Sequence, residues 1–182
     1  MSKRQLVASA AALPAVLAAG IWTGLSGAGL DAESAAAVGL TARLSAAQEV
    51  PKPRGVRAGA QGVFTAGLVR SAAGGTLSWR LTFKGLTGKA AAAHIHLGAR
   101  GRAGDVRVAL CGPCRSGASG SAKVGARTVT ALLAGGTYVN VHTARNPAGE
   151  IRGQVAKTTK PPVTIPPPTT TGTTTVPTDP YP

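Results

Sequence analysis

Thr76-Leu77-Ser78-Trp79-Arg80-Leu81-Thr82-Phe83 alternates apolar and polar residues without a break. Leu77, Trp79, Leu81 and Phe83 recur at period two, so on an extended chain they share one face. Gly74-Gly75 just before this run is a hairpin signal, and residues 62–69 upstream read as its partner strand. Residues 40–44 alternate in the same way. Downstream, residues 91–97, 105–110, 137–142 and 150–155 read as further strands. Turns fall at residues 98–104 and at Asn146-Pro147-Ala148-Gly149. Residues 128–133 allow one short helix or an extra strand. About seven to eight short strands with regular turns predict an all-β fold, a β-sandwich or barrel, with no α/β alternation.

The chain has 182 residues, enough for one domain plus tails and too few for a large multi-domain enzyme. Its glycines have no period of three and its helix formers no heptads, which excludes collagen-like and coiled-coil chains. Six aromatics (Trp22, Phe64, Trp79, Phe83, Tyr138 and Tyr181) leave the core to Val, Leu, Ala and Ile.

Three segments differ in composition. Residues 1–37 run from Lys3 and Arg4 through residues 6–30, which carry no charge, to Ser34-Ala35-Ala36-Ala37. Basic, apolar, then small is the order of a secretory signal peptide; an uncleaved N-terminal anchor is the alternative. Residues 157–182 hold eight Pro and ten Thr among 26, so they cannot bury a core and predict a disordered, solvated tail. Such tracts on exported proteins are either O-glycosylated stalks or plain flexible tails. Residues 38–156 form the folded domain and carry sixteen Lys and Arg against Glu49, Asp105 and Glu150. The basic excess therefore belongs to the domain, and the expected setting is extracellular or the cell envelope.

Specific strings then stand out. One is Ala93-His94-Ile95-His96-Leu97-Gly98, with Gly101 and Gly104-Asp105-Val106 after it. Another is Gly136-Thr137-Tyr138-Val139-Asn140-Val141-His142-Thr143, followed by Asn146-Pro147-Ala148-Gly149-Glu150-Ile151-Arg152-Gly153-Gln154. With residues 44–50, these closely resemble the CHRD (chordin-type) domain over residues 40–155. The resemblance implies an immunoglobulin-like or Greek-key β fold in an extracytoplasmic protein, distantly similar to Cu/Zn superoxide dismutase. The family has no established biochemical activity, so the resemblance implies no reaction. In chordins the domain accompanies modules that bind growth factors, and none of those is present here.

Four sets of residues carry candidate chemistry. His94 and His96, two apart on a strand, project from one face while Ile95 and Leu97 face the other way. On the later strand Tyr138, Asn140 and His142 share the face opposite Val139 and Val141. If the two strands are neighbours, three imidazoles converge, and an imidazole-only set suits Cu(II) or Zn(II). The likeness to superoxide dismutase implies copper, since that family places ligands as His-x-His on a strand and adds a distant His. No fourth His to bridge a second metal and no zinc set is present, so dismutase activity is not expected. The alternative is that these His bond to backbone, to Tyr138 or to each other. No cofactor is required by the sequence; copper is the one this cluster would take.

Cys111-Gly112-Pro113-Cys114 has the spacing of a thiol redox motif, but residues 115–120 read as flexible loop rather than the helix such a thiol needs. Export favours a structural Cys111–Cys114 disulfide, with a thiol redox protein or a mixed Cys/His metal site as alternatives. Lys52, Arg54 and Arg57 cluster in one loop, and Arg100 and Arg102 in another with Arg107 nearby. They suit anionic envelope polymers or lipid head groups; export and the scarcity of aromatics argue against nucleic acid. Glu150 and Arg152 predict an ion pair on one strand face. No catalytic pair, nucleophile set or cofactor fingerprint is present, and no small-molecule substrate is identified. The expected function is a non-enzymatic envelope or extracellular binding or structural module, with a copper-binding or redox protein and a thiol redox protein as alternatives.

Overall fold

The computed structural model describes residues 37–160. The signal peptide or anchor and the Thr/Pro tail therefore lie outside the described residues, apart from Ala37 and residues 157–160. Along the chain come β1 (Val38–Ser45), a 3-10 turn (Ala46–Gln48), β2 (Gln61–Ser71) and β3 (Gly74–Lys84). Next are β4 (Ala90–Leu97), β5 (Val106–Cys111), β6 (Ala118–Gly125) and α1 (Ala126–Leu133). β7 (Thr137–Thr143), β8 (Ile151–Gln154) and a two-residue β9 (Ala156–Lys157) complete the set.

The strands form one antiparallel sheet in the order β5-β4-β7-β8-β1-β2-β3-β6, with β9 paired to β1. The two end strands, β5 and β6, approach each other, so the sheet nearly closes into a barrel. The steps from β3 to β4 and from β6 to β7 jump across neighbours, which is Greek-key connectivity. The all-β expectation holds, in its barrel form.

Period-two faces build the interior. Leu77, Trp79 and Leu81 are buried, opposite Leu68, Ala66 and Phe64 of β2. Leu40, Ala42 and Leu44 of β1, Ile95 of β4, Val139 and Val141 of β7 and Ile151 complete the wall. Each fully buried aliphatic or aromatic side chain contributes about 1.5–3 kcal/mol. α1 plugs the end of the barrel where β3 begins: Val129 lies against Gly75, and Leu132 is fully buried. Of the two readings of residues 128–133, the helix is therefore the one that forms.

Three expectations need correction. Gly74 and Gly75 lie in β3, and the hairpin turn is Ala72-Ala73, because Ser71 already pairs with Gly74. Residues 118–120, expected as loop, open β6, which pairs with β3 along its full length. Its inward residues, Ala118, Gly120 and Ala122, are small because the Trp79 indole fills that space, so the usual apolar signal of a strand is missing. Lys157, expected in the tail, pairs with Leu40 in β9.

Candidate metal centre

Sheet register makes the site. β4 and β7 are neighbours, with His94 opposite Asn140, His96 opposite Tyr138 and Ala92 opposite His142. Ile95 and Val139 point inward as an opposed pair, so the three imidazoles lie on the other face, His142 diagonal to His94. One ring nitrogen from each His lies within 4.8 Å of the others. Neither strand alone could assemble this set.

Two loops fix which nitrogens face one another. The Gly104 carbonyl oxygen is 2.8 Å from His96 Nδ1, and the Pro147 carbonyl oxygen is 2.8 Å from His142 Nδ1. A carbonyl oxygen only accepts, so both Nδ1 atoms carry the hydrogen and both Nε2 atoms keep a lone pair when the rings are neutral. His94 Nδ1 lies 3.1 Å from His142 Nε2 and donates to it. Gly104 is required for this arrangement: a Cβ there would collide with the Leu97 carbonyl oxygen. Burial pushes the His96 pKa below the usual imidazole range, which keeps its Nε2 lone pair available at neutral pH.

Behind His96 stands a buried polar stack that the sequence reading did not anticipate. Tyr138 lies parallel to His96 with centroids 4.9 Å apart, and the Arg152 guanidinium sits 3.4 Å above the Tyr138 centroid. Arg152 is 1% exposed and donates to the Ala99 carbonyl oxygen at 2.9 Å. Glu49, 1% exposed, lies in electrostatic reach of Arg152. Burial raises the Glu49 pKa to about 7, against the opposing effects of the Val50 amide, Arg152 and Asn140. The Asn140 side-chain amide lies close to both carboxyl and ring, pulling the Glu49 pKa down and the His96 pKa up. Yet Glu49 Oε2, Asn140 Oδ1, Arg152 Nη1 and His96 Nε2 are buried without a hydrogen bond. Their concentration at one place is a marked feature of the fold. Strand register assembles it, with Arg152 facing Asn140 across β7 and β8, and no local pattern in the sequence records that pairing.

The expected Glu150–Arg152 ion pair is absent. Glu150 precedes β8 and turns toward the loop after β3, where it accepts hydrogen bonds from Thr87, Thr143 and Asn146. Burial alone would raise its pKa; those hydrogen bonds outweigh burial and hold it below the usual carboxylate range. Arg152 lies instead over Tyr138, within electrostatic reach of Glu49.

Cys111 and Cys114 form a disulfide with a Cα–Cα distance of 5.2 Å. Cys111 pairs with Ala93, which faces the core, so it lies on the opposite face from His94. The strand alternation argues against a mixed Cys/His site.

All six candidate anion-binding cations are exposed, five of them in loops and Arg107 on β5. The two loops meet where Arg100 donates to Gln48 at 3.2 Å. Lys52 donates to the Ala47 carbonyl oxygen, and the Arg54 backbone is held by the Asn146 side chain. Arg107 pairs with Asp105 at 3.4 Å. The loop bearing Arg100 and Arg102 is the one whose Gly104 carbonyl holds His96.

A family model described as the CHRD domain matches residues 40–155, which covers nearly all of the described chain. No curated protein and no solved structure matches.

Proposed function

The chain belongs to the CHRD-domain family, and from that premise we propose that it is an exported, non-enzymatic module that holds a transition-metal ion, copper above all, at His94, His96 and His142. The observation that carries this reading is the pair of carbonyl locks on His96 and His142. Metal-bound histidines characteristically donate their other ring N–H to a carbonyl or carboxylate, which fixes tautomer and orientation. His96 Nε2, buried and without a hydrogen bond, is the donor this geometry leaves for a cation. The set has three imidazoles and no carboxylate or thiolate, which favours Cu(II) over Zn(II) by intrinsic affinity and disfavours Mg(II) and Ca(II). Bond lengths near 2.0–2.1 Å need donors somewhat closer than the 4.8 Å limit observed. Small rotations of His94 and His96 would close the set, and His94 would release the hydrogen it shares with His142.

The test is calorimetric titration of the full chain with Cu(II) and with Zn(II), with EPR of the copper form. Sub-micromolar binding with nitrogen hyperfine structure is expected, weakened more than about tenfold by His94→Ala and by His142→Ala. Weak binding that neither substitution changes would remove the metal reading and leave the His as structural.

A second reading rests on how charge is partitioned. Of the three acids between residues 37 and 160, Glu49 and Glu150 are buried, while every Lys and Arg there except Arg152 is exposed. Asp105 is the one exposed carboxylate among the described residues, against seventeen exposed cations. Such a surface supports attachment to an anionic envelope polymer or to anionic lipid head groups through Lys52, Arg54, Arg57, Arg100 and Arg102 on their loops and Arg107 beside them on β5.

A further inference from the structure

We infer that the end of the barrel opposite α1 is a binding groove for a small anionic amphiphile, a carboxylate carried on an apolar chain. The groove, of about 600 Å³, lies where β3 ends and β4 begins. Phe83, the last residue of the inward apolar row on β3, is only half-buried, and Leu86 and Pro113 extend its apolar wall. The disulfide at Cys114 closes one side. Lys84, Lys89 and Arg115 line the same groove and are exposed, and no carboxylate lines it. Among the described residues the one ion pair is Asp105–Arg107, so these three cations have no acid within ion-pair distance.

The walls are held in place. The loop after β3 is tied down by Thr87, whose N–H and hydroxyl both donate to the buried Glu150. The loop after β5 is tied by the disulfide, by Cys114 N–H to the Ala90 carbonyl oxygen at 3.0 Å, and by Gly117 N–H to the Leu81 carbonyl oxygen at 2.8 Å. Phe83 N–H donates to Ser116 Oγ at 2.8 Å and joins the two loops. A pre-formed concave site with an apolar wall and a few convergent charges, in the mouth of a β-barrel, is where small ligands bind. Three cations without an acid select an anion, and the apolar wall selects an anion with a hydrocarbon body. This assignment is independent of the His cluster.

The test uses the full chain, isotope-labelled, titrated with decanoate below its micellar concentration and compared with decanol and with butyrate. Saturable binding is expected, with the largest amide shifts at Phe83, Leu86 and Ser116, at least about tenfold tighter for decanoate than for either comparison ligand. Lys84→Ala, Lys89→Ala and Arg115→Ala combined should weaken decanoate about tenfold or more and leave the decanol response unchanged. Arg43→Ala, Arg70→Ala and Arg127→Ala combined remove the same charge from exposed positions elsewhere and should leave decanoate binding unchanged. Equal affinity for decanol, shifts centred elsewhere, or equal loss in both triple variants would overturn the assignment.

Discussion

Glu49 shows how much one buried carboxyl governs here. Its pKa rises from 4.5 to about 7 because burial penalises the anion more than the Val50 amide, Arg152, Asn140 and Lys52 favour it. Between those values the folded state binds more protons than the unfolded state, so this group's stabilisation is complete below about 4.5 and is lost as pH rises through about 7. A shift of that size corresponds to roughly 3 kcal/mol. Glu49→Gln keeps the shape and removes the charge. Urea unfolding from pH 5 to pH 8 should therefore show a flatter stability profile for Glu49→Gln than for the parent, with the gain at pH 8; identical profiles would mean Glu49 is ionised throughout. Glu150 has the opposite sign. Its lowered pKa gives stability present above the unfolded value and lost as acid protonates it. In the sequence both are simply acids near turns. Their different chemistry comes from where the fold puts them: burial raises Glu49 against the pull of Arg152, whereas hydrogen bonds from Thr143, Thr87 and Asn146 hold Glu150 down.

At the scale of the element, β6 is the instructive strand. Residues 118–125 read Ala-Ser-Gly-Ser-Ala-Lys-Val-Gly and alternate in burial, yet only Val124 is a large inward residue. Trp79 on β3 explains the composition, since a Cβ on Gly120 would sit 2.8 Å from Trp79 Cζ2. The indole is 4% exposed and has little room to move. Gly120→Ala should gain about 0.4–1 kcal/mol by restricting the unfolded chain, but the overlap should cost about 1–3 kcal/mol. The second effect wins, and thermal unfolding with tryptophan fluorescence should show a lower Tm and a changed Trp79 environment. An unchanged Tm would mean that β6 can shift away from β3. A strand whose inward side is filled by its neighbour's side chain carries no apolar pattern of its own, which is why β3 was legible and β6 was not.

Across the whole molecule, the distribution of charge makes the clearest prediction. Seventeen exposed cations face one exposed carboxylate among residues 37–160. Binding to poly-L-glutamate and to phosphatidylglycerol vesicles should be readily measured at low ionic strength. It should weaken steeply as added salt shortens the screening length from about 30 Å at 0.01 M to about 8 Å at 0.15 M. Replacing Lys52, Arg54, Arg57, Arg100, Arg102 and Arg107 with Gln should weaken it more than replacing six cations elsewhere on the barrel; equal losses would show a diffuse field with no preferred face. The sequence by itself determined the all-β class, the family, the inward rows of most strands and the segregation of basic charge, because period two, turn residues and net charge are local properties. It also placed His94, His96 and His142 on matching faces, conditional on their strands being neighbours. Only the tertiary structure decided that β4 pairs with β7, that Gly104 and Pro147 orient the rings, and that Arg152 lies over Tyr138 rather than against Glu150. It alone placed two apolar-walled loops with three cations at the open end of the barrel. Those outcomes depend on strand register and on loops crossing the barrel ends, where contacts join residues tens of positions apart and no local pattern records which partner will be met.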